Sequence, residues 1–199
     1  GAPITGAGGL RAALAAAGTE ADRLRTEAAE RKQHAQALAG ELATTKAKAE
    51  ATQQEARLAS LWAYGDEPVG KDGHQLSAAI YSQEPVDTDG SGAKPVRLIF
   101  RDHPEWGRSS YLVLEAGDFD CYSGCKLKVT VDGKASTLSG SRPKTDDAIA
   151  MFVVDWKALW KLAKSGKQLS IEFPTKAVGK RSAEFEVGGL DASKLPKWN

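Results

Sequence analysis

From Leu10 to Trp62 the apolar and small positions recur at alternating spacings of four and three. Leu10, Leu14, Ala17, Ala21, Leu24, Ala28, Arg31, Ala35, Leu38, Leu42, Thr45, Ala49, Thr52, Ala56 and Ala59 keep the pattern without a slip. This is the a/d seam of a coiled coil, filled mainly by alanine. Gly18 and Gly40 weaken the helix, and Thr19 followed by Asp22 offers a point of restart. Uninterrupted, the helix would be roughly 80 Å long at 1.5 Å per residue. Residues 1–9, rich in Gly and Ala, read as a flexible lead-in.

After Trp62 the helical period disappears. Residues 64–70 are turn-forming, and short runs at 75–82, 96–101, 110–115 and 126–132 read as strands separated by Gly, Pro and Asp. Leu127, Val129 and Val131 alternate with polar residues and lead into Asp132-Gly133, a strong hairpin dipeptide. The apolar run 148–154 predicts a central strand. Asp155 then predicts the cap of a short helix over 156–164, with Trp156, Leu159, Trp160 and Ala163 on one face and Gly166 just beyond its end. Leu169, Ile171 and Phe173, then Ala183, Phe185 and Val187, alternate again, and 195–198 read as a tail. The expected fold is α+β: a long N-terminal coiled-coil helix (10–62), then an antiparallel β-sandwich with one short helix (66–199).

The charges on the helix specify how it pairs. With Leu14 at a, Glu20, Glu27 and Glu41 occupy g positions, while Arg25, Lys32 and Lys46 occupy e positions. In a parallel pair Glu20 faces Arg25 of the other chain, Glu27 faces Lys32 and Glu41 faces Lys46. An antiparallel pair sets like charges together. The expected partner is therefore a second copy in parallel, held through Leu10, Leu14, Leu24, Leu38 and Leu42. Association is expected to be weak, because alanine at most a positions buries little area.

Composition excludes several function classes. A net charge of +1 and the lack of a basic run argue against a nucleic-acid surface, and no stretch is long and apolar enough for a transmembrane helix. Two cysteines, Cys121 and Cys125, sit in a turn between strands. Their simplest reading is a disulfide worth roughly 2 kcal/mol for so short a loop, which places the chain in an oxidising compartment. Free thiols or half of a metal site are the other readings. Zinc normally needs four ligands, and His34, His74 and His103 are the only histidines. No metal and no cofactor are expected. A start at Gly1 rather than methionine fits a removed signal peptide, lipobox or membrane anchor upstream, or a cloning remnant.

Candidate chemistry is sparse. The Asp87-Thr88-Asp89-Gly90 start resembles a calcium loop but lacks the later acidic ligands, so it reads as a solvated hairpin loop. His103 lies near Ser109 and Ser110, but no Gly-x-Ser-x-Gly elbow accompanies them, and no phosphate-cradling glycine motif or H-E-x-x-H occurs. Asp146-Asp147 reads as a solvated strand entrance. The loop holding His103, Glu105, Trp106 and Arg108 is the candidate binding loop, since an exposed Trp with Arg beside it suits protein or glycan contact.

The pattern over 118–191 has a further implication. A paired-cysteine strand entry (Cys121-Tyr122-Ser123-Gly124-Cys125, running on to Asp132-Gly133) is followed by Ala150-Met151-Phe152-Val153-Val154-Asp155 entering a helix, and by a closing Phe185-Glu186-Val187-Gly188-Gly189-Leu190. This resembles small β-sandwich modules of Gram-negative envelope proteins, including the TagO-like group associated with type VI secretion. The resemblance covers a little over a third of the chain, omits the heptad helix, and implies a periplasmic, non-enzymatic accessory role. The expected function is a cell-envelope tether or adaptor displaying a binding head to a protein or cell-wall partner. The rivals are an inhibitor or immunity protein for an envelope enzyme, and a cell-wall hydrolase or glycan-modifying enzyme.

Overall fold

A 55-residue α-helix, α1 (Gly6–Ser60), opens the chain. The computed structural model describes residues 6–143 and 149–199. Residues 1–5 of the expected lead-in, Asp146-Asp147 and Ala148 lie outside the described residues. Residues 6–9, expected as lead-in, are helical instead. Two compact units divide the chain, the first ending at Thr52 and the second spanning Gln53–Asn199.

In the first unit, α1 runs through both Gly18 and Gly40. Thr19 is not a cap: its hydroxyl donates to the Ala15 carbonyl four residues back, as Thr26, Thr44 and Thr52 donate to Asp22, Gly40 and Lys48. The exposed surface carries intrahelical pairs such as Arg23 with Glu20 (2.6 Å) and Glu27 (3.1 Å), Arg25 with Asp22 (2.9 Å) and Lys46 with Glu50 (4.0 Å). Each is worth a few tenths of a kcal/mol. None of the helix's residues is buried, and Leu10, Leu14, Leu24, Leu38 and Leu42 are 50–70% exposed.

The second unit keeps the last turns of α1 and a large antiparallel sheet. Its strands are β1 (Trp62–Val69), β2 (Gly73–Tyr81), β5 (Arg97–His103), β6 (Gly107–Val113), β7 (Cys125–Val131), β8 (Lys134–Ser141), β9 (Ala150–Val153), β10 (Gln168–Thr175) and β11 (Gly179–Glu186), with a separate small pair β3 (Val86–Asp87) and β4 (Ala93–Lys94). The large sheet has nine strands in the order β1-β2-β5-β6-β9-β8-β7-β10-β11, so β9 is central, as its apolar run predicts. Asp132 (φ 48°) and Gly133 (φ 84°) both take positive φ, the conformation a two-residue β7–β8 turn requires. Register follows the apolar alternation: Leu169 pairs with Val131 and Phe185, and Ile171 pairs with Val129 and Ala183.

The sheet's two flanks are joined. The Gln83 N–H after β2 donates to the Glu184 carbonyl on β11 (2.7 Å), and the Asp191 N–H donates to the Tyr64 hydroxyl of β1 (2.7 Å). Inward residues of β2, β5 and β6 thus share one apolar cluster with those of β7, β10 and β11. Helix α2 (Trp156–Ser165) buries Leu159, Trp160 and Ala163. Trp156 is only half-buried, and Asp155 holds the N-cap position of α2 as expected, its carbonyl accepting from the Leu159 N–H (3.1 Å), but its side chain makes no capping bond: its Oδ2 accepts from the Ser139 N–H of β8 (2.7 Å).

Two further expectations are corrected. Residues 64–70, read as turn, mostly form β1, which begins at Trp62. β1 pairs only with β2 at the sheet's edge, where Pro68 is tolerated. The supposed tail is core: Leu195 and Trp198 are buried, with Trp198 edge-on to Phe100 at 5.5 Å. The last turn of α1 also docks in this unit. A Cβ on Gly189 would overlap the Leu58 backbone carbonyl, so only glycine fits there, and Arg57 pairs with Glu186 (2.6 Å). Here Trp62 is buried and Leu58 half-buried, while Leu61 is exposed.

Candidate functional site

Strands β5 and β6 form a hairpin whose turn holds Glu105 and Trp106. Along β5, Leu98, Phe100 and Asp102 point inward, which leaves Arg97, Ile99, Arg101 and His103 on the outer face. The registers align this face in rows across β1, β2, β5, β6 and β9. Ala63, Ala79, Ile99, Tyr111 and Phe152 form one row, with Arg97 and Arg101 in the rows on either side.

The outer face is built from cations lying on aromatic rings. The Arg101 guanidinium sits 5.4 Å from the Trp106 ring centroid and 5.2 Å from that of Tyr111, and Arg97 lies 5.6 Å from Tyr81. Tyr111 in turn meets Phe152 at 5.3 Å. Among the described residues neither Arg97 Nε nor Arg101 Nε has a hydrogen-bond partner, and no carboxylate pairs with either side chain. Flat aromatic and guanidinium groups lose little conformational freedom on contact, and Trp, Tyr and Arg dominate the energetics of protein interfaces.

Of the loop singled out from sequence, the structure brings His103 and Trp106 together and sends Arg108 elsewhere. The two rings stack at 3.9 Å and 9°. His103 Nδ1 accepts from the N–H groups of Glu105 (3.1 Å) and Trp106 (3.2 Å), which ties the imidazole to the turn. Trp106 is 68% exposed, and Glu105 points to solvent beside it. Arg108 pairs with Asp102 in register, so it belongs to the opposite phase of β6. Its guanidinium lies 4.9 Å from the Trp156 ring and donates to the Lys197 carbonyl (2.7 Å). Trp106 with Arg108 beside it is therefore not one patch; Arg101 takes that place.

Sequence reading missed Tyr81, Arg97, Arg101, Tyr111 and Phe152. The period-2 placement of Arg97 and Arg101 was the available signal, hidden by the continuous Leu98-Ile99-Phe100 run between them.

Cys121 and Cys125 are at disulfide distance (2.07 Å) where β7 begins, which is compatible with an oxidising, extracytoplasmic compartment. Gly140 packs on them: a Cβ there would lie 2.9 Å from Cys125 Sγ and 3.2 Å from Cys121 Sγ. Beside the pair, Asp118 accepts from Arg142 Nε (2.7 Å), Lys176 Nζ (2.9 Å) and the Phe119 N–H (2.8 Å). Burial pushes its carboxyl up, but the hydrogen bonds from Arg142, Lys176 and Phe119 outweigh burial and hold it below the usual carboxylate range.

The seam and flanking residues Leu10, Leu14, Glu20, Leu24, Arg25, Glu27, Lys32, Leu38, Glu41, Leu42 and Lys46 all lie on the continuous helix α1. Among the described residues no group of three or more His, Cys, Asp or Glu is disposed to hold a metal ion, and no helix is long and apolar enough to cross a membrane. No protein-family model, no curated protein and no solved structure matches this chain.

Proposed function

We propose that this chain is a non-catalytic adaptor of the bacterial cell envelope, periplasmic in location, in which α1 pairs in parallel as a coiled coil and presents two or more copies of a β-sandwich binding head. The observation that carries the reading is the helix itself. None of its fifty-five continuous helical residues is buried, and its leucines at heptad positions from Leu10 to Leu42 remain at least half exposed. Most helical stability in proteins comes from packing an apolar face, and a second copy supplies it here. Paired heads then bind a polymeric target by avidity.

The head's binding surface on this reading is the Arg97/Arg101 aromatic face, and its target is a cell-wall or protein partner. The cysteine pair supports an extracytoplasmic site of action, in keeping with the resemblance to TagO-like envelope modules. Binding to isolated cell wall, measured by co-sedimentation, tests the face. The double variant Arg101→Ala, Trp106→Ala should lower the bound fraction about tenfold, since two interface anchors are worth at least ~1.4 kcal/mol together. Equal binding by the variant would remove this face from the function. Release of soluble label from a labelled wall would replace the adaptor with a hydrolase. The exposed Trp106 at the tip of a tight hairpin favours a second reading, in which that tip inserts into an envelope enzyme as an inhibitor. Binding of such an enzyme with no binding to cell wall would select it.

A further inference from the structure

Away from the outer face, α2 and the C-terminal turn enclose a cleft of about 160 Å³ that nothing above uses. Its walls are three indoles, Trp156, Trp160 and Trp198, with Trp198 5.1 Å from Trp156 and 5.0 Å from Trp160. Its rim is cationic: Arg108 comes from β6, and Lys157, Lys161 and Lys164, spaced four and three residues apart, come from one face of α2. Among the described residues no carboxylate side chain lines it. Arg108 and Lys157 both lie over the Trp156 ring, at 4.9 and 5.3 Å. Lys164 Nζ approaches Asn199 Oδ1 at 3.4 Å, whereas Lys161 makes no ion pair among the described residues. Two of the lining indoles, Trp160 and Trp198, are more than nine-tenths buried, and their Nε1–H groups have no partner among the described residues.

Three features of the cleft select a ligand class. Aromatic walls favour a flat or branched apolar body. The volume matches a single ring, since an apolar cavity of about 150 Å³ accommodates benzene. Four cations at the rim, with no carboxylate side chain among the described lining residues, produce a positive field at the mouth, focused by low-dielectric walls. We propose that this cleft binds a small apolar carboxylate, its ring or branched chain seated among Trp156, Trp160 and Trp198 and its carboxylate at the Arg108–Lys161 rim. The source is either a free organic acid or the C-terminal residue of a polypeptide. The site is independent of the outer face and of helix pairing.

Indole N–H signals of the full ¹⁵N-labelled chain, followed by NMR, test the proposal. The probes are 3-phenylpropionate, its neutral amide, and a short peptide ending in phenylalanine as the free acid or the amide. A ligand of this size should bind with a dissociation constant on the order of 1 mM. The signals of Trp156, Trp160 and Trp198 should shift saturably with an acid, while those of Trp62 and Trp106 stay in place. The matching amide should bind at least about tenfold more weakly, because it brings no charge to the rim. Lys157→Glu with Lys161→Glu, both at exposed positions, should weaken the acid about tenfold with the rest of the spectrum unchanged. Binding by 3-phenylpropionate alone assigns the free-acid source, and binding by the peptide acid assigns the polypeptide source. No saturable shift with either acid, equal binding of acid and amide, or indifference to the double charge reversal would overturn the proposal.

Discussion

Phe100→Ala should cost the sheet unit about 4 kcal/mol, within the usual range for emptying a buried phenylalanine site. Phe100 is fully buried on β5, and it joins segments remote in sequence. Its ring lies 6.3 Å from Trp62 of β1, 5.2 Å from Trp160 of α2 and 5.5 Å from Trp198 of the C-terminal turn. The last two contacts are edge-on, each worth about 0.5–1.5 kcal/mol beyond burial. Large, rigid indoles cannot collapse into the space, so the loss belongs at the upper end of the range. Guanidinium unfolding followed by tryptophan fluorescence measures it. A loss below about 1 kcal/mol would show that the aromatic cluster does not hold these segments together.

Asp118→Ala should cost about 2 kcal/mol, because it removes an ionised acceptor shared by the Arg142 guanidinium, the Lys176 ammonium and the Phe119 N–H. The pH dependence has a definite sign. The folded carboxyl of Asp118 titrates below its ordinary value, so its contribution is present above the unfolded pKa of about 4 and is lost as pH falls through the lower folded value. The wild type should therefore shed this increment in the acid range below about pH 4, and the variant should have none of it to shed. A stability difference between the two that stays constant down to about pH 2 would contradict the assignment.

What the sequence made legible was whatever has a local period or a local turn rule. Helix α1 follows from its three-four spacing, the β7–β8 hairpin from Asp132-Gly133, and α2 from Leu159, Trp160 and Ala163 recurring on one face. β1 was illegible because Gly65, Asp66 and Pro68 carry turn propensity, and only its place at the sheet's edge makes Pro68 harmless. Leu195 and Trp198 have no periodic neighbours, so nothing local marks them as core; Trp198 packs against Phe100 and Trp160, both remote in sequence. The proposed binding face is half legible. Trp106 stood out as an exposed aromatic, but its true companion depends on strand phase. Arg101 shares the outer face, whereas Arg108, two residues from Trp106 in sequence, points into the other layer.

The proposed adaptor requires α1 to pair with a second copy, and a cysteine at one seam position reports that pairing. Leu24→Cys should cross-link to its own copy under mild oxidation, and the uncross-linked chain should sediment as a weakly associating dimer. Glu20→Lys, Glu27→Lys and Glu41→Lys together should abolish both results. Mixing that variant with a chain carrying Arg25→Glu, Lys32→Glu and Lys46→Glu should restore a heterodimer, because exposed e/g pairs of about 0.3–0.5 kcal/mol each choose orientation more than they supply affinity. A monomer at high concentration in which the Leu24→Cys cross-link never forms would contradict the account.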